Sequence, residues 1–316
     1  MTNIHDIAKL AGVSVSTVSR VLNNYKYVSE EKRLKVKQII KELNYTPNNN
    51  AIDLIRGETK RIGVIIPYNN NQAFDQMLHG ILNKSSELDF SVTVLPSKYN
   101  KKRELEYLAM LKSKQLDALI ITSKANHWDK IIPFTQYGTI ISCEYTEREE
   151  IGCAYVDRFA SYLEVFQMLK QKGHQRIAFT TARGNESIST KQTINAYQNV
   201  IGEMYQKFHI GNCFCLEDGY KAAEILLNQK NRPTAIYANG DEVAGGIFQY
   251  CQYNKLQIPE EVAIVGQENQ PIGEVLGITT VNHRLSALGA QAFELAVNRT
   301  LDKIEIPYEI IQRSST

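Results

Sequence analysis

Asp6-Ile-Ala-Lys-Leu-Ala-Gly-Val-Ser-Val-Ser-Thr-Val-Ser-Arg-Val-Leu-Asn23 is the stretch around which the 316-residue chain is organised. Ile7, Ala8, Leu10 and Ala11 recur at the spacing of a short amphipathic helix. Asn3 and Asp6, three apart ahead of that apolar set, make an N-cap and N3 pair. Gly12 supplies the left-handed residue at which a helix ends and the chain turns sharply. Ser14 caps a second short helix, Val15 to Leu22, with Val18, Val21 and Leu22 facing inward and Ser16, Thr17, Ser19 and Arg20 facing outward. Two short helices joined by a glycine turn describe either a DNA-reading helix-turn-helix or an ordinary αα-hairpin.

Outward from this stretch, Asn24 to Val28 reads as a polar, aromatic loop. Ser29 then caps a third helix whose apolar face is Leu34, Val36, Ile39, Ile40 and Leu43. Pro47 disfavours helix at Thr46 and closes the segment. Asn48 to Arg56 can form a further short helix, with Asn48 as its cap and Ala51, Leu54 and Ile55 on one side. The net charge of +2 is unevenly spread: up to Arg61 the chain carries +5, and the remainder carries −3. A basic head on a mildly acidic body suits a polyanion-binding module attached to something else.

From Arg61 the texture changes to alternating strand and helix. Strands are expected at Ile62–Ile66, Phe90–Leu95, Leu116–Ile121 and Thr139–Ser142, with helices over Phe74–Leu88 and Lys101–Lys114 between them. The alternation restarts with helix Ala160–Lys170 and strand Arg176–Thr180. Helix Thr193–Gln206, strand Cys213–Leu216, helix Tyr220–Asn228, strand Ala235–Ala238, helix Glu242–Asn254 and strand Val262–Gly266 follow. Two successive units of this kind predict two doubly wound parallel sheets, hence two lobes with a cleft between them. Helix Leu285–Leu301 and strand Tyr308–Arg313 are expected to cross back between the lobes.

Composition is that of a globular protein, 43% hydrophobic and 22% charged, and no apolar run approaches the roughly 20 residues of a membrane helix. The opening residues lack the basic and apolar regions of a signal peptide, so a cytoplasmic chain is expected. Five scattered cysteines argue against a disulfide framework, and Cys213 and Cys215 read as two reduced cysteines on a strand. Six dispersed histidines, with no Gly-x-Gly-x-x-Gly, phosphate loop or Gly-x-Ser-x-Gly elbow, point to no enzyme, cofactor or metal. His174, just after a helix-ending glycine, reads as a cap-proximal cation, and Asp241 reads as a helix N-cap.

The residue string from Asp6 to Asn23 closely resembles the N-terminal motif of the LacI/GalR family of bacterial transcription regulators. The likeness continues through Val28-Ser29, Leu43-Asn44-Tyr45 and Pro47-Asn48. Further on, Gly80-Ile81, Leu116-Asp117, Lys172-Gly-His174, Pro233-Thr-Ala-Ile236, Asp241, Gly266, Thr279-Thr-Val281 and Arg313-Ser-Ser-Thr316 match as spaced fragments. The resemblance implies an α/β fold with an N-terminal helix-turn-helix headpiece (1–46), a hinge helix and linker (47–60) and a two-lobed periplasmic-binding-protein-like core (61–316). The lobes would span about 61–156 and 157–281, with 282–316 crossing between them. It implies a repressor that binds a two-fold operator on double-stranded DNA as a homodimer, under control of a small-molecule effector in the cleft.

By the same resemblance, Val15, Ser16 and Arg20 take base-reading positions, arginine being able to bond bidentately to guanine. Thr17, Ser19, Asn23 and Tyr45 take phosphate-contacting ones, with His5 and Tyr27 beside them. Asn48, Ala51 and Leu54 belong to the hinge, where Leu54 would wedge into the minor groove. Ile52 stands where the family often has arginine.

In the cleft the resemblance implies effector contacts at Phe74, Glu144, Arg158, Thr193, Asn239, Gln267 and Glu268, and here the chain departs from the family pattern. Thr193 holds the place of an arginine, Glu268 that of an aspartate, Arg158 that of an asparagine and Ser161 that of a glycine. Two longer carboxylates, Glu144 and Glu268, without the matching arginine lead us to expect a smaller or more acidic pocket, whose effector carries an amine or many hydroxyls rather than a phosphate or carboxylate, which like charges would repel. Two alternatives remain: a constitutive DNA-binding regulator whose core only dimerises, and a solute-binding protein of the same core fold.

Overall fold

In a computed structural model, which describes residues 3–23, 25–45, 57–184, 187–202 and 204–316, the chain divides into two units, Met1–Thr59 and Lys60–Thr316. The first holds helices α1 (Ile4–Ala11), α2 (Val15–Leu22) and α3 (Glu30–Glu42). Asn3 and Asp6 form a reciprocal capping box: Asn3 Oδ1 accepts from the amides of His5 and Asp6, and the Asn3 amide donates to Asp6 Oδ2 at 2.9 Å. Gly12, at φ +66°, ends α1. Ser14 Oγ accepts from the Thr17 amide at 3.2 Å and so starts α2. Ile7, Ala8, Ala11, Val18, Val21 and Val36 close a small shared core. Leu10 and Leu34, expected on apolar faces, are 59% and 61% exposed. Leu34 lies two residues, about 200° of helix, from Val36 and therefore faces away from it. Ser29 makes no side-chain cap bond.

The second unit contains two six-stranded sheets. The first is built from β1 (Arg61–Ile66), β2 (Ser91–Pro96), β3 (Ala118–Ile121), β4 (Thr139–Ser142) and β5 (Gly152–Tyr155), flanked by α4 (Gln72–Glu87), α5 (Lys101–Lys112) and α6 (Trp128–Ile131). The chain then crosses into α7 (Arg158–Gln171), β6 (Ile177–Thr180), α8 (Ile188–Val200), β7 (His209–Ile210), α9 (Leu216–Leu227) and β8 (Ala235–Tyr237). It continues through α10 (Asp241–Tyr253), β9 (Ala263–Gln267), α11 (Pro271–Val275) and β10 (Thr279–Asn282). A second crossing leads to α12 (Leu285–Asn298) and β11 (Lys303–Glu305), which joins the first sheet. A third leads to β12 (Glu309–Ile311), which joins the second. The strand orders are β11-β5-β4-β3-β1-β2 and β12-β10-β9-β8-β6-β7; all pairs are parallel except β10 with β12. Each sheet thus runs 2-1-3-4-5 plus an edge strand from the C-terminal segment, the doubly wound arrangement.

The strand expected at Cys213–Leu216 is instead the two-residue β7, and Leu216 already belongs to α9. The Asp218 carboxylate, accepting from the amides of Phe214 and Cys215, starts the helix ahead of its apolar run. Helix α8 likewise begins at Ile188 rather than Thr193. His174 is not a cap-proximal cation: burial pushes its pKa down, and its ring bonds the Thr234 hydroxyl at 3.1 Å. No helix among the described residues is long and apolar enough to cross a membrane.

Each lobe packs two helices at glycine-to-backbone distance. A Cβ on Gly80 of α4 would strike the Ser286 carbonyl, and one on Gly289 of α12 would strike that of Met77. In the other lobe Gly219 of α9 faces the Val243 carbonyl, and Gly246 of α10 faces that of Leu216. These contacts are backbone on both sides, so no rotamer change relieves a larger residue. Gly80→Ala is therefore expected to lower unfolding free energy by about 1–3 kcal/mol in a urea titration. A variant as stable as the parent would show that α4 and α12 can separate without loss.

Candidate functional site

The exposed side of α2 is one candidate surface. Ser16 and Arg20, four residues apart on that face, are both exposed. Val15 is half-buried against the headpiece core, as is Tyr45. Ser14 Oγ bonds the hydroxyls of Ser16 at 2.8 Å and Thr17 at 2.9 Å, which anchors the start of the face. Asn23 Nδ2 donates to the Ser19 carbonyl at 2.9 Å and so holds the end of the helix. His5 is exposed at the start of α1, and Tyr27 is 95% exposed in the loop before α3. Asn48, Ala51 and Leu54, and the whole expected hinge helix, lie outside the described residues.

The second candidate is a cavity of about 350 Å³ between the lobes of the core. Parallel strands direct their carboxyl ends, and the loops that follow them, to a common edge. Both sheets use that edge here: Tyr68 follows β1, Thr122 and Ser123 follow β3, Glu144 follows β4 and Arg158 follows β5. Arg183 follows β6, Asn239 follows β8, and Gln267 and Glu268 end and follow β9. All seven residues expected in the cleft line this cavity, Phe74 and Thr193 coming from α4 and α8. They are not equivalent. Asn239 is spent on the protein, Oδ1 accepting from Thr180 Oγ1 at 2.6 Å and Nδ2 donating to the Cys213 carbonyl at 3.0 Å. Thr193 is buried, and its hydroxyl donates to the Ser189 carbonyl at 2.9 Å.

Arg158 and Glu268 meet. Arg158 Nη1 donates to Glu268 Oε1 at 3.0 Å and reaches His283 Nδ1 at 3.3 Å. His283 is fully buried, with Nδ1 3.0 Å from Glu268 Oε1 and Nε2 2.9 Å from Ser161 Oγ. Burial and the Arg158 charge push the His283 pKa down despite Glu268. Ser161 Oγ spends its proton on the Arg158 carbonyl at 2.8 Å and therefore accepts from Nε2–H, which in the neutral ring leaves Nδ1 as the acceptor for Arg158. Burial raises the pKa of Glu268, but its close partners His283 and Arg158 outweigh it and hold the carboxyl at about 2.

The missing arginine at position 193 has a counterpart in the cavity, whose lining nonetheless carries Glu144, Glu242 and Glu268 against Arg158 and Arg183. Glu268 is neutralised by an arginine from the start of α7, and a second guanidinium, Arg183, lies 4.1 Å over the Tyr99 ring. Sequence position alone could not show that Arg158, 110 residues before Glu268, returns to it. Sequence reasoning also missed Tyr99, Ser123, Tyr162 and Arg183. Their place just past strand ends or on the first turns of cleft-facing helices was the available signal. Tyr99 Oη donates to Ser123 Oγ at 3.2 Å, which donates to Glu144 Oε1 at 2.8 Å, a polar chain along one wall. Two contacts bridge the lobes at the cavity: the Tyr99–Arg183 stack, and Gln76 Nε2 donating to the Glu268 carbonyl at 2.9 Å. No cluster of three or more metal-ligating side chains occurs among the described residues.

Comparison with known proteins follows the same division. Residues 3–48 match the family model of "Bacterial regulatory proteins, lacI family". Residues 59–312 match that of "Periplasmic binding proteins and sugar binding domain of LacI family". The chain is 44% identical over 315 residues to catabolite control protein B of Bacillus subtilis (strain 168), covering 99% of this chain and 100% of that protein. It is 35% identical over 330 residues to the NTD biosynthesis operon regulator NtdR of the same organism, covering both chains in full. Among solved structures, the Lac repressor dimer bound to operator and the anti-inducer ONPF superposes with a TM-score of 0.83 at 22% identity. That match covers 100% of this chain and 99% of that one, a likeness of fold.

Asp241, read from sequence as an N-cap, is the first residue of α10 after an N-cap at Gly240. Its buried carboxylate instead ties three elements beneath the cleft. Oδ1 accepts from the Thr280 hydroxyl at 2.7 Å and Oδ2 from the Gln270 amide at 2.6 Å. Burial pushes its pKa up to about 7, although those two bonds pull it down. Between its ordinary value near 3.8 and about 7, the folded chain keeps a proton that the unfolded chain has released. Its stabilising contribution is thus greatest at the acid end of that window and falls as pH rises through it. Wild type is expected to lose stability relative to Asp241→Asn as pH rises from about 5 to about 8, read as the difference in melting temperature. A difference constant with pH would refute the assignment.

Proposed function

The chain belongs to the LacI family of bacterial regulatory proteins, and from that membership we propose that it is a cytoplasmic, homodimeric repressor whose cleft binds a small sugar and whose headpieces read a two-fold operator. Its relatives are transcription regulators, and the non-enzymatic reading of this chain rests on them. The observation that carries the proposal is the exposed Ser16–Arg20 face on a capped, glycine-turned helix pair, in one chain with a polar cavity between two lobes. A single headpiece buries too little surface for a tight site, which supports pairing of two copies on adjacent half-sites.

In this reading residues 1–46 are the DNA-binding headpiece, 47–60 the hinge and linker, and 61–316 the effector-binding and dimerisation core. Arg20, Ser16 and Val15 read bases. Thr17, Ser19, Asn23, Tyr45, His5 and Tyr27 position the module on phosphates, and Asn48, Ala51 and Leu54 act at the hinge. Phe74, Glu144, Arg158, Thr193, Asn239, Gln267 and Glu268 form the effector site. A sugar is supported by the family description of the core, and by the mixture of aromatic walls (Tyr68, Phe74, Tyr99) with hydroxyl, amide and charged side chains. Control requires the ligand to bind one core conformation better than the other.

The test is footprinting on operator fragments selected from genomic DNA, with and without sugars. Protection of a palindromic site that changes on sugar addition is expected. Protection that no sugar alters would leave the core as a dimerisation body only. Arg20→Ala is expected to weaken specific binding by roughly 1–3 kcal/mol and to relax one base position. An unchanged ratio of operator to scrambled-DNA affinity would remove Arg20 from base reading.

A further inference from the structure

Arg158, Ser161 and Glu268, three positions at which the sequence departs from the family pattern, are one network in space. Arg158 bonds Glu268 and His283, and Ser161 bonds His283 from the opposite side of the ring. Thr193, the fourth departure, lines the same cavity as Arg158 and Tyr162. The guanidinium absent at position 193 is thus brought to the cavity by α7 instead of α8. Glu268 itself is only 5% exposed, whereas 27% of the Arg158 side chain remains open to solvent. Of the pair, it is the arginine that faces the cavity. Glu268 stands on left-handed backbone at φ +80°, followed by Asn269 at φ +45°. Non-glycine residues in that region are strained and persist where the surroundings hold them, commonly at ligand sites.

We propose that Arg158 is the ligand-contacting, specificity-determining cation of the cleft, that Glu268 both orients it and offers the ligand an acceptor, that His283 is a positioning residue, and that the Arg158–Glu268 pair selects an uncharged sugar over its phosphorylated or amino-substituted counterpart. This rests on the reading of the cleft as a sugar site. A guanidinium has five N–H donors, of which Glu268 and His283 engage some and leave others for a ligand. Glu268 Oε2 is buried with no partner among the described residues, so the pair offers donors and one open acceptor. A hydroxyl both donates and accepts and satisfies both. An ammonium has no lone pair for Arg158, and a phosphate dianion has no proton for Glu268. The phosphate would also enter a cavity whose lining carries Glu144, Glu242 and Glu268 against Arg158 and Arg183.

The experiment is isothermal titration of the full-length chain with glucose, sucrose and cellobiose, and with glucose 6-phosphate and glucosamine. Wild type is expected to bind a neutral sugar and neither charged one. Arg158→Ala is expected to weaken that binding by about ten- to a hundredfold, the loss of a charge-assisted hydrogen bond. Arg158→Lys keeps the charge but not the planar fork, and covers the case in which stranding Glu268 unfolds the alanine variant; it too should lose affinity. Glu268→Gln, which frees the guanidinium charge, is expected to admit glucose 6-phosphate, a gain that a merely structural residue would not produce. Returning the guanidinium from the neighbouring helix, in Arg158→Ala/Thr193→Arg, should restore neutral-sugar binding.

Neutral-sugar binding unchanged in folded Arg158→Ala and Arg158→Lys overturns the role of Arg158 and leaves the sugar site standing. Wild-type preference for glucose 6-phosphate or glucosamine overturns the selectivity. Absence of binding to every sugar overturns the cleft reading beneath both.

Discussion

The ion pair between Arg158 and Glu268 is the contact on which the rest of the cleft depends. A carboxylate removed from water costs several kcal/mol unless a counter-charge and good hydrogen bonds meet it. Glu268 receives both on a single oxygen from the guanidinium, with the buried His283 ring 3.0 Å away. The pair therefore fixes more than two side chains. Arg158 is the first residue after one crossing between lobes, and His283 is the last before the next. A group that holds the guanidinium also holds the roots of α7 and α12.

This placement matters because the lobes share little else. Each of the four apolar clusters in the core stays within one lobe. What joins the lobes is polar. On the second lobe's side the crossings are held by polar contacts: beside the Arg158 network, Asn282 and Arg284 bond Glu309 at 3.0 and 3.1 Å, tying the second crossing to the third, and Tyr308 bonds Glu164 at 2.7 Å. Across the mouth stand the Gln76 and Arg183 contacts. Exposed hydrogen bonds and ion pairs are worth about 1 kcal/mol or less each, whereas each lobe interior buries many apolar side chains at about 1.5–3 kcal/mol apiece. The seam is the soft part of the core, and the cleft opens directly on it.

The headpiece solves a different problem. Six buried side chains are a small core, and a domain of this size is marginal without local reinforcement. Reinforcement comes from the chain ends of its helices: the Asn3–Asp6 box, the Ser14 cap and the left-handed Gly12. Those devices also set the angle between α1 and α2. The face that carries Ser16 and Arg20 is as well defined as the caps that hold it.

What was legible in the sequence was what is local in it. Caps and turns act over three or four residues, helix and strand periods over a dozen, and the order of strands and helices follows from their alternation. The headpiece helices and the doubly wound sheets could be read in this way, and the residues of the cleft were implied by the family resemblance. The exceptions are β7, a short edge strand, and the early start of α9, where the Asp218 carboxylate outweighs the apolar period; α8 also starts early, without a side-chain cap bond. The charge state of the cleft was not legible. Arg158, Ser161, Thr193 and Glu268 read singly as four losses from a familiar pattern. Only the fold, by bringing α7 and α8 and the ends of β9 and β10 to one edge, shows that they compensate one another. A Coulombic pair is decided by distance in space, and 110 residues of intervening chain carry no record of that distance.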